Sequence, residues 1–167
     1  MLLTIWRHGE AGPAPRDAER ELTERGRFVV AAAAEAFTGW LSQSGHPGVE
    51  QLRHSPLTRT SQTAAILHGV LRPVSCVPDQ LLAPGADLAN KIWQAIDATH
   101  VLLVSHEPFV SQAIAVWSDN DTLPPLAPSG YATLEVLSLE RGCLLYTSDA
   151  ADDSLRVDLG GRRIIKK

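Results

Sequence analysis

The chain predicts an α/β fold, a three-layer sandwich around a mostly parallel central sheet. Three observations carry that reading. Met1–Trp6 and His100–Val104 are apolar at nearly every position and rich in β-branched residues, as strands covered on both faces are. Segments with helix caps and helical length alternate with the shorter runs, which favours parallel strands with helices on both faces. At 167 residues the chain suffices for one domain with a real core.

Each element follows in order. Met1–Trp6 is a buried strand. Gly12–Arg20 is polar and broken by proline, hence a loop. Thr23 caps a helix running to about Gln43, with Gly45 beyond it. Val49–Arg53 is a second strand. Ser55 as cap and Pro56 at the first helical position open a helix to about Val70, stopped by Pro73. Val74–Val77 is a third strand and Leu81–Gly85 a loop. Asp87–Ala98 is helical, and His100–Val104 is the fourth strand. Pro108 fits the first turn of a helix ending near Trp117. Ser118–Ser129 is loop, and Tyr131–Leu139 alternates as a fifth strand.

The last residues differ in character. Up to Arg141 the basic residues are arginines apart from Lys91, whereas the chain ends in Lys166-Lys167. Cys143–Asp153 resembles a translated transposon sequencing adapter, and Val157–Lys167 resembles its continuation. The expected division is therefore a domain over 1–142 and a non-native tail over 143–167, set aside in reading the fold. The alternative is a natural strand at Leu144–Thr147 with an acidic loop and a final short strand.

Bulk properties exclude several classes. The formal charge is −4 without a lysine-rich block, so nothing favours nucleic acid or an anionic membrane. No apolar run has the length of a membrane span. Cys76 and Cys143 form neither a disulfide framework nor a metal spacing, which suits a reducing compartment. The N-terminus does not read as a secretory signal, so a cytoplasmic location and a monomer are expected.

Four short patches read as one phosphate site. Arg7-His8-Gly9 follows the first strand, Ser55 and Arg59 follow the second, and His106 follows the fourth. In a parallel α/β sheet, residues just past the strands gather on one edge, where such folds bind ligands. A neutral His8 can attack phosphorus and form a covalent intermediate. Arg7 and Arg59 can clamp the phosphoryl oxygens through multi-donor contacts. His106 as imidazolium can donate to the same group. Gly9 permits a turn or close phosphate approach. Ser55 and Thr58 are candidate phosphate donors or helix caps. Glu10 and Glu107 are placed to orient an imidazole. His46, His54, His68 and His100 read as structural or solvent-facing, with His54 nearest the site.

These motifs together resemble the histidine phosphatase superfamily, also called phosphoglycerate mutase-like. Arg7-His8-Gly9-Glu10 is similar to its first signature. Ser55-Pro56-Leu57-Thr58-Arg59-Thr60-Ser61-Gln62-Thr63 is similar to its second, and Ser105-His106 to its late histidine. The resemblance implies the family's α/β sandwich, phosphorylation of His8, phosphoryl binding by Arg7, Arg59 and His106, and no metal or cofactor. Within the superfamily, Leu22–Gly26 and Leu82–Asp87 resemble the small bacterial SixA-type phosphohistidine phosphatases. Larger members carry a glutamate proton donor near the latter stretch, and Leu82-Ala83-Pro84 has no carboxylate. An alkoxide leaving group needs a proton; an imidazole leaving a phosphohistidine is already a good leaving group. The implied substrate is a phosphohistidine on a partner protein, a phosphocarrier or a histidine-kinase phosphotransfer domain. A small-molecule phosphomonoesterase, with Asp87 or Glu10 as donor, and a non-catalytic phosphate-binding protein are the alternatives.

Overall fold

The computed structural model describes residues 1–85, 98–138 and 141–148, with side chains at 137–138 and 141–146 left aside. Its elements are β1 (Leu2–Arg7), α1 (Glu24–Ser44), β2 (Gln51–His54), α2 (Thr58–Leu71), β3 (Ser75–Pro78), β4 (His100–Ser105), α3 (Phe109–Ser118), β5 (Tyr131–Ser138) and β6 (Arg141–Ser148). The helix expected at Asp87–Ala98 falls almost wholly outside the described residues, as does the tail beyond Ser148.

The six-stranded sheet runs β3-β2-β4-β1-β5-β6. β1, β2, β3 and β4 are mutually parallel; β5 pairs antiparallel to β1, and β6 antiparallel to β5. The sheet is thus mixed but mostly parallel, as expected. β6 crosses Gly142, the position at which the sequence places the end of the domain.

Both faces of the sheet are covered, which explains the unbroken apolar strands. Leu3, Ile5, Val101 and Leu103 pack with Phe109, Val110, Ala113, Ile114 and Trp117 of α3. Their alternates Trp6, Leu102 and Val104 pack with Val30, Ala34 and Phe37 of α1 and Ala64 and Leu67 of α2. Trp6 is fully buried, stacked on Tyr131 at 4.3 Å and edge-on to Phe37. Within the same layer the Nδ1–H of His100 donates to the Pro47 carbonyl, and its Nε2 accepts from Thr4, which accepts from Thr133. His100 is a satisfied core histidine.

Helix boundaries follow the caps with one correction. Thr23 Oγ1 accepts the Gly26 amide, and Gly45 closes α1 in the left-handed conformation at φ 67°. α2, however, starts at Thr58 with Leu57 at the cap position, so Ser55 is no cap and Pro56 is not helical. The physical reason is that Ser55 is wholly buried and spends its hydroxyl on His106. The Ser55 carbonyl accepts from Thr60 Oγ1 and from His54 Nδ1, which fixes the bend ahead of the helix.

β1 and β4 are neighbours, yet the chain leaves β1 toward the α1/α2 layer and leaves β4 toward the α3 layer. The two connections part at the C-terminal strand ends, where folds of this kind bind ligands.

Candidate active site

β1 delivers Arg7 and His8 to that end of the sheet. The His8 amide donates to Ser105 and its carbonyl accepts from Ser129, so the residue is pinned between β4 and the loop before β5. His8 Nδ1 lies 2.7 Å from the Gly9 carbonyl. A carbonyl only accepts, so Nδ1 carries the proton and Nε2 keeps its lone pair. Arg59 Nε donates toward that Nε2 at 3.3 Å. His106 faces the same space, its ring centre 5.1 Å from that of His8.

His106 is almost fully buried and its Nε2 is 2.8 Å from Ser55 Oγ. Its Nδ1 and Arg7 Nε are buried without a protein partner. Buried polar groups are rarely left unpaired, so His106 Nδ1, on a ring 5.1 Å from that of His8, is available to a bound polar group. Arg7 Nη1 donates to the Leu126 carbonyl, which holds its guanidinium. Arg59 is buried in the first turn of α2, where the helix dipole disfavours a cation. Asp17 compensates it: Nη1 donates to the Asp17 carbonyl at 2.7 Å and Nη2 to its carboxylate at 3.0 Å.

Burial keeps both imidazoles uncharged. It drives His8 from 6.5 down to about 4; the Gly9 carbonyl opposes this, and Arg59, Arg7 and Arg20 add to it. His106 is pushed down to about 3 by burial first, then by His8 and Arg59, with Asp17 opposing. Burial thus favours a neutral His106 over the expected imidazolium. An arriving phosphoryl anion would favour the charged form.

This carries a stability prediction. Between pH 6.5 and about 4 the unfolded chain binds protons on these two histidines that the folded chain does not. Stability then rises with pH through that window and is lost as pH falls, by up to about 1.4 kcal/mol per pH unit for each group. Urea midpoints measured from pH 4 to 8 are expected to show this slope, and His106→Gln to flatten part of it.

The other expected site residues take different places. The Gly9 amide donates to Thr63 Oγ1, and a Cβ on Gly9 would meet Val30 Cγ2 at 2.7 Å. Its missing side chain serves packing against α1. Glu10 accepts from Thr23 Oγ1 and, through its carbonyl, from the Thr23 amide, which secures the start of α1. Glu107 accepts from the Ser111 amide at the start of α3. The backbone carbonyl of Gly9, rather than either glutamate, therefore orients His8. The Val110 amide donates to the His106 carbonyl, so this part of the α3 N-terminus is internally engaged. Thr58 opens α2, and His54 donates to the Ser55 carbonyl.

Several contributors escape a reading by residue type. Gln62 Oε1 accepts from the Leu22 amide, and Thr63 Oγ1 donates to the Arg59 carbonyl. The second motif thus staples α2 to both ends of the loop after β1. Helical spacing was the available signal, since Arg59, Gln62 and Thr63 share a face. Gly26 lies so close to Glu10 that a Cβ would sit 2.2 Å from the Glu10 carbonyl oxygen. Gly26→Ala is expected to destabilise by about 1–3 kcal/mol despite the better helix former, because backbone must move. A urea midpoint lowered with unchanged slope would record it.

Fold and site together define a phosphoryl-transfer protein, and the chain belongs to the histidine phosphatase, or phosphoglycerate mutase-like, superfamily. A SixA protein histidine phosphatase, solved with tungstate, superposes with TM-score 0.78 at 26% identity, over 90% of this chain and 98% of that one. A SixA-type structure from Nakamurella multipartitia matches at TM-score 0.66 and 26% identity, over 88% and 94% of the two chains. A mycobacterial glucosyl-3-phosphoglycerate phosphatase, at TM-score 0.59 and 20% identity over 86% and 96%, shares the fold. No family model and no curated protein matches the sequence. Among the described residues, no group of three or more His, Cys, Asp or Glu could hold a metal ion, and no helix is long and apolar enough to cross a membrane.

Proposed function

We propose that the protein is a phosphohistidine phosphatase that acts on a partner protein through a covalent phospho-His8 intermediate. The observation that carries this is the neutral His8, whose Nε2 lone pair faces Arg59 Nε and the His106 ring. His8 attacks phosphorus through Nε2, and the P–N bond of the substrate breaks on the opposite side. Arg7, Arg59 and His106 stabilise the equatorial oxygens of the in-line transition state. Water then cleaves phospho-His8 and releases phosphate.

The carboxylates described around the site support the substrate class; Asp87, the other expected donor, lies outside the described residues. Glu10 is committed to the α1 cap. Asp17 is held below the usual carboxylate range by the hydrogen bond from Arg59, so it is ionised at neutral pH. Asp17 is therefore no protonated acid for an alkoxide leaving group, and Glu10 is engaged elsewhere. A phosphohistidine protonated on its second ring nitrogen needs none, because a neutral imidazole then leaves. The likeness to a protein histidine phosphatase supports the same class. Turnover compared on a phosphohistidine-bearing phosphocarrier protein, a sugar phosphate and an aryl phosphate tests the reading. The phosphoprotein is expected to be preferred by at least about 100-fold in kcat/KM, the scale of one general-acid contribution. Preference for the sugar phosphate would establish a small-molecule phosphomonoesterase instead.

A further inference from the structure

Asp17 belongs to no motif, yet it sits on the clamp. It lies in a 3-10 turn, Asp17–Glu19, within the loop after β1. The Arg59 side chain beneath it is 6% exposed, while that of Asp17 is 63% exposed. Arg59 therefore turns its inner edge, Nε, to His8 and its outer edge, Nη1 and Nη2, to Asp17. Arg59, itself buried, thus bridges a partly buried His8 and an exposed Asp17.

A phosphoryl group in front of His8 Nε2 meets the Nε edge of Arg59 and draws on the same guanidinium whose Nη donors Asp17 holds. Two anions then compete for one guanidinium, and the carboxylate gives way. It does not leave the mouth, because Arg20 anchors the loop. Arg20 donates to the Gly12 and Ala11 carbonyls and reaches Asp17 Oδ1 at 3.5 Å. Asp17, exposed and joined through Arg59 to His8, is placed to meet a leaving group on the solvent side of the clamp.

We infer that Asp17 is the specificity-determining residue, accepting the N–H of the substrate imidazole on the ring nitrogen that is not bonded to phosphorus. This rests on the phosphohistidine reading above. As His8 Nε2 forms its bond to phosphorus, the substrate P–N bond breaks and its electron pair stays on the departing nitrogen. The proton held against Asp17 stays on the other ring nitrogen. A neutral imidazole leaves, and no proton changes hands. Without that proton the leaving group is an imidazolate, a far poorer one. An alkoxide or phenolate offers no N–H and develops negative charge against the carboxylate. One residue thereby favours phosphohistidine and opposes oxygen esters. The charged and titratable groups around Asp17 are Arg59 on α2, Arg20 in its own loop, His106 after β4, and Arg16 and Glu19 at the same turn.

The test compares the full chain with Asp17→Asn and Asp17→Glu. The readouts are kcat/KM against pH on a phosphohistidine peptide and on p-nitrophenyl phosphate, and inorganic phosphate affinity by calorimetry. Asp17→Asn is expected to lower phosphohistidine turnover roughly ten-fold, the scale of one exposed charge-assisted hydrogen bond, and to raise aryl phosphate turnover. The alkaline limb for phosphohistidine should move to lower pH, because the substrate N–H loses its acceptor. Phosphate should bind more tightly, and Asp17→Glu should restore the preference. If the unaltered protein prefers phosphohistidine but Asp17→Asn keeps both the ratio and the alkaline limb, the inference falls and the function stands. Unchanged phosphate affinity in Asp17→Asn would overturn the competition for Arg59. If the unaltered protein shows no preference for phosphohistidine, the functional reading falls and takes the inference with it.

Discussion

Replacing His8 by Ala is expected to reduce turnover by at least about 10⁴-fold, because nucleophile and intermediate disappear together. The side chain is prepared for one task. Its Nδ1–H is committed to the Gly9 carbonyl, which fixes tautomer and ring angle, and its Nε2 lone pair faces the clamp. With its pKa lowered to about 4, it stays neutral at any pH where the protein would work. Quenched reactions should contain an acid-labile phosphoprotein in the unaltered chain and none in His8→Ala. A variant that still formed that species would move the nucleophile elsewhere. The fold should survive, since the pinning of this turn runs through backbone groups of His8 that alanine keeps.

The second large effect is expected at Arg59. Arg59→Lys preserves charge and is still expected to cost about 10²–10³-fold in kcat/KM, the scale of losing one oxyanion donor. The guanidinium presents Nε to His8 and both Nη groups to the mouth at once. An ammonium is a point charge that cannot span these positions. Phosphate affinity and kcat should fall together, because the same donors hold the bound group and the transition state. A change below about three-fold, within the worth of a surface ion pair, would reduce Arg59 to a partner of Asp17.

How much of this was legible depended on whether a residue's task is local. Thr23 and Gly45 marked the ends of α1, because capping acts within a few residues. The all-apolar β1 and β4 announced strands covered on both faces. Arg7, His8, Arg59 and His106 were legible because they are reactive or multi-donor groups just past predicted strands. The start of α2 was misjudged because Ser55, a good cap by type, is drawn into the core by His106, 51 residues away. Glu10 and Glu107 looked like partners for imidazoles and cap helices instead.

The sequence by itself determined the layered α/β architecture and pointed to His8, Arg59 and His106, which the fold brings close together. Those properties follow from periodicity and from the order of strands and motifs along the chain. Only the tertiary structure decided the charge of the two histidines, the lone pair that faces the clamp and the presence of Asp17 over Arg59. Charge state depends on burial and on neighbouring cations, and the Asp17–Arg59 contact joins residues 42 apart in a loop without any motif. Such properties are set by which side chains close on one another in space, and no local pattern encodes them.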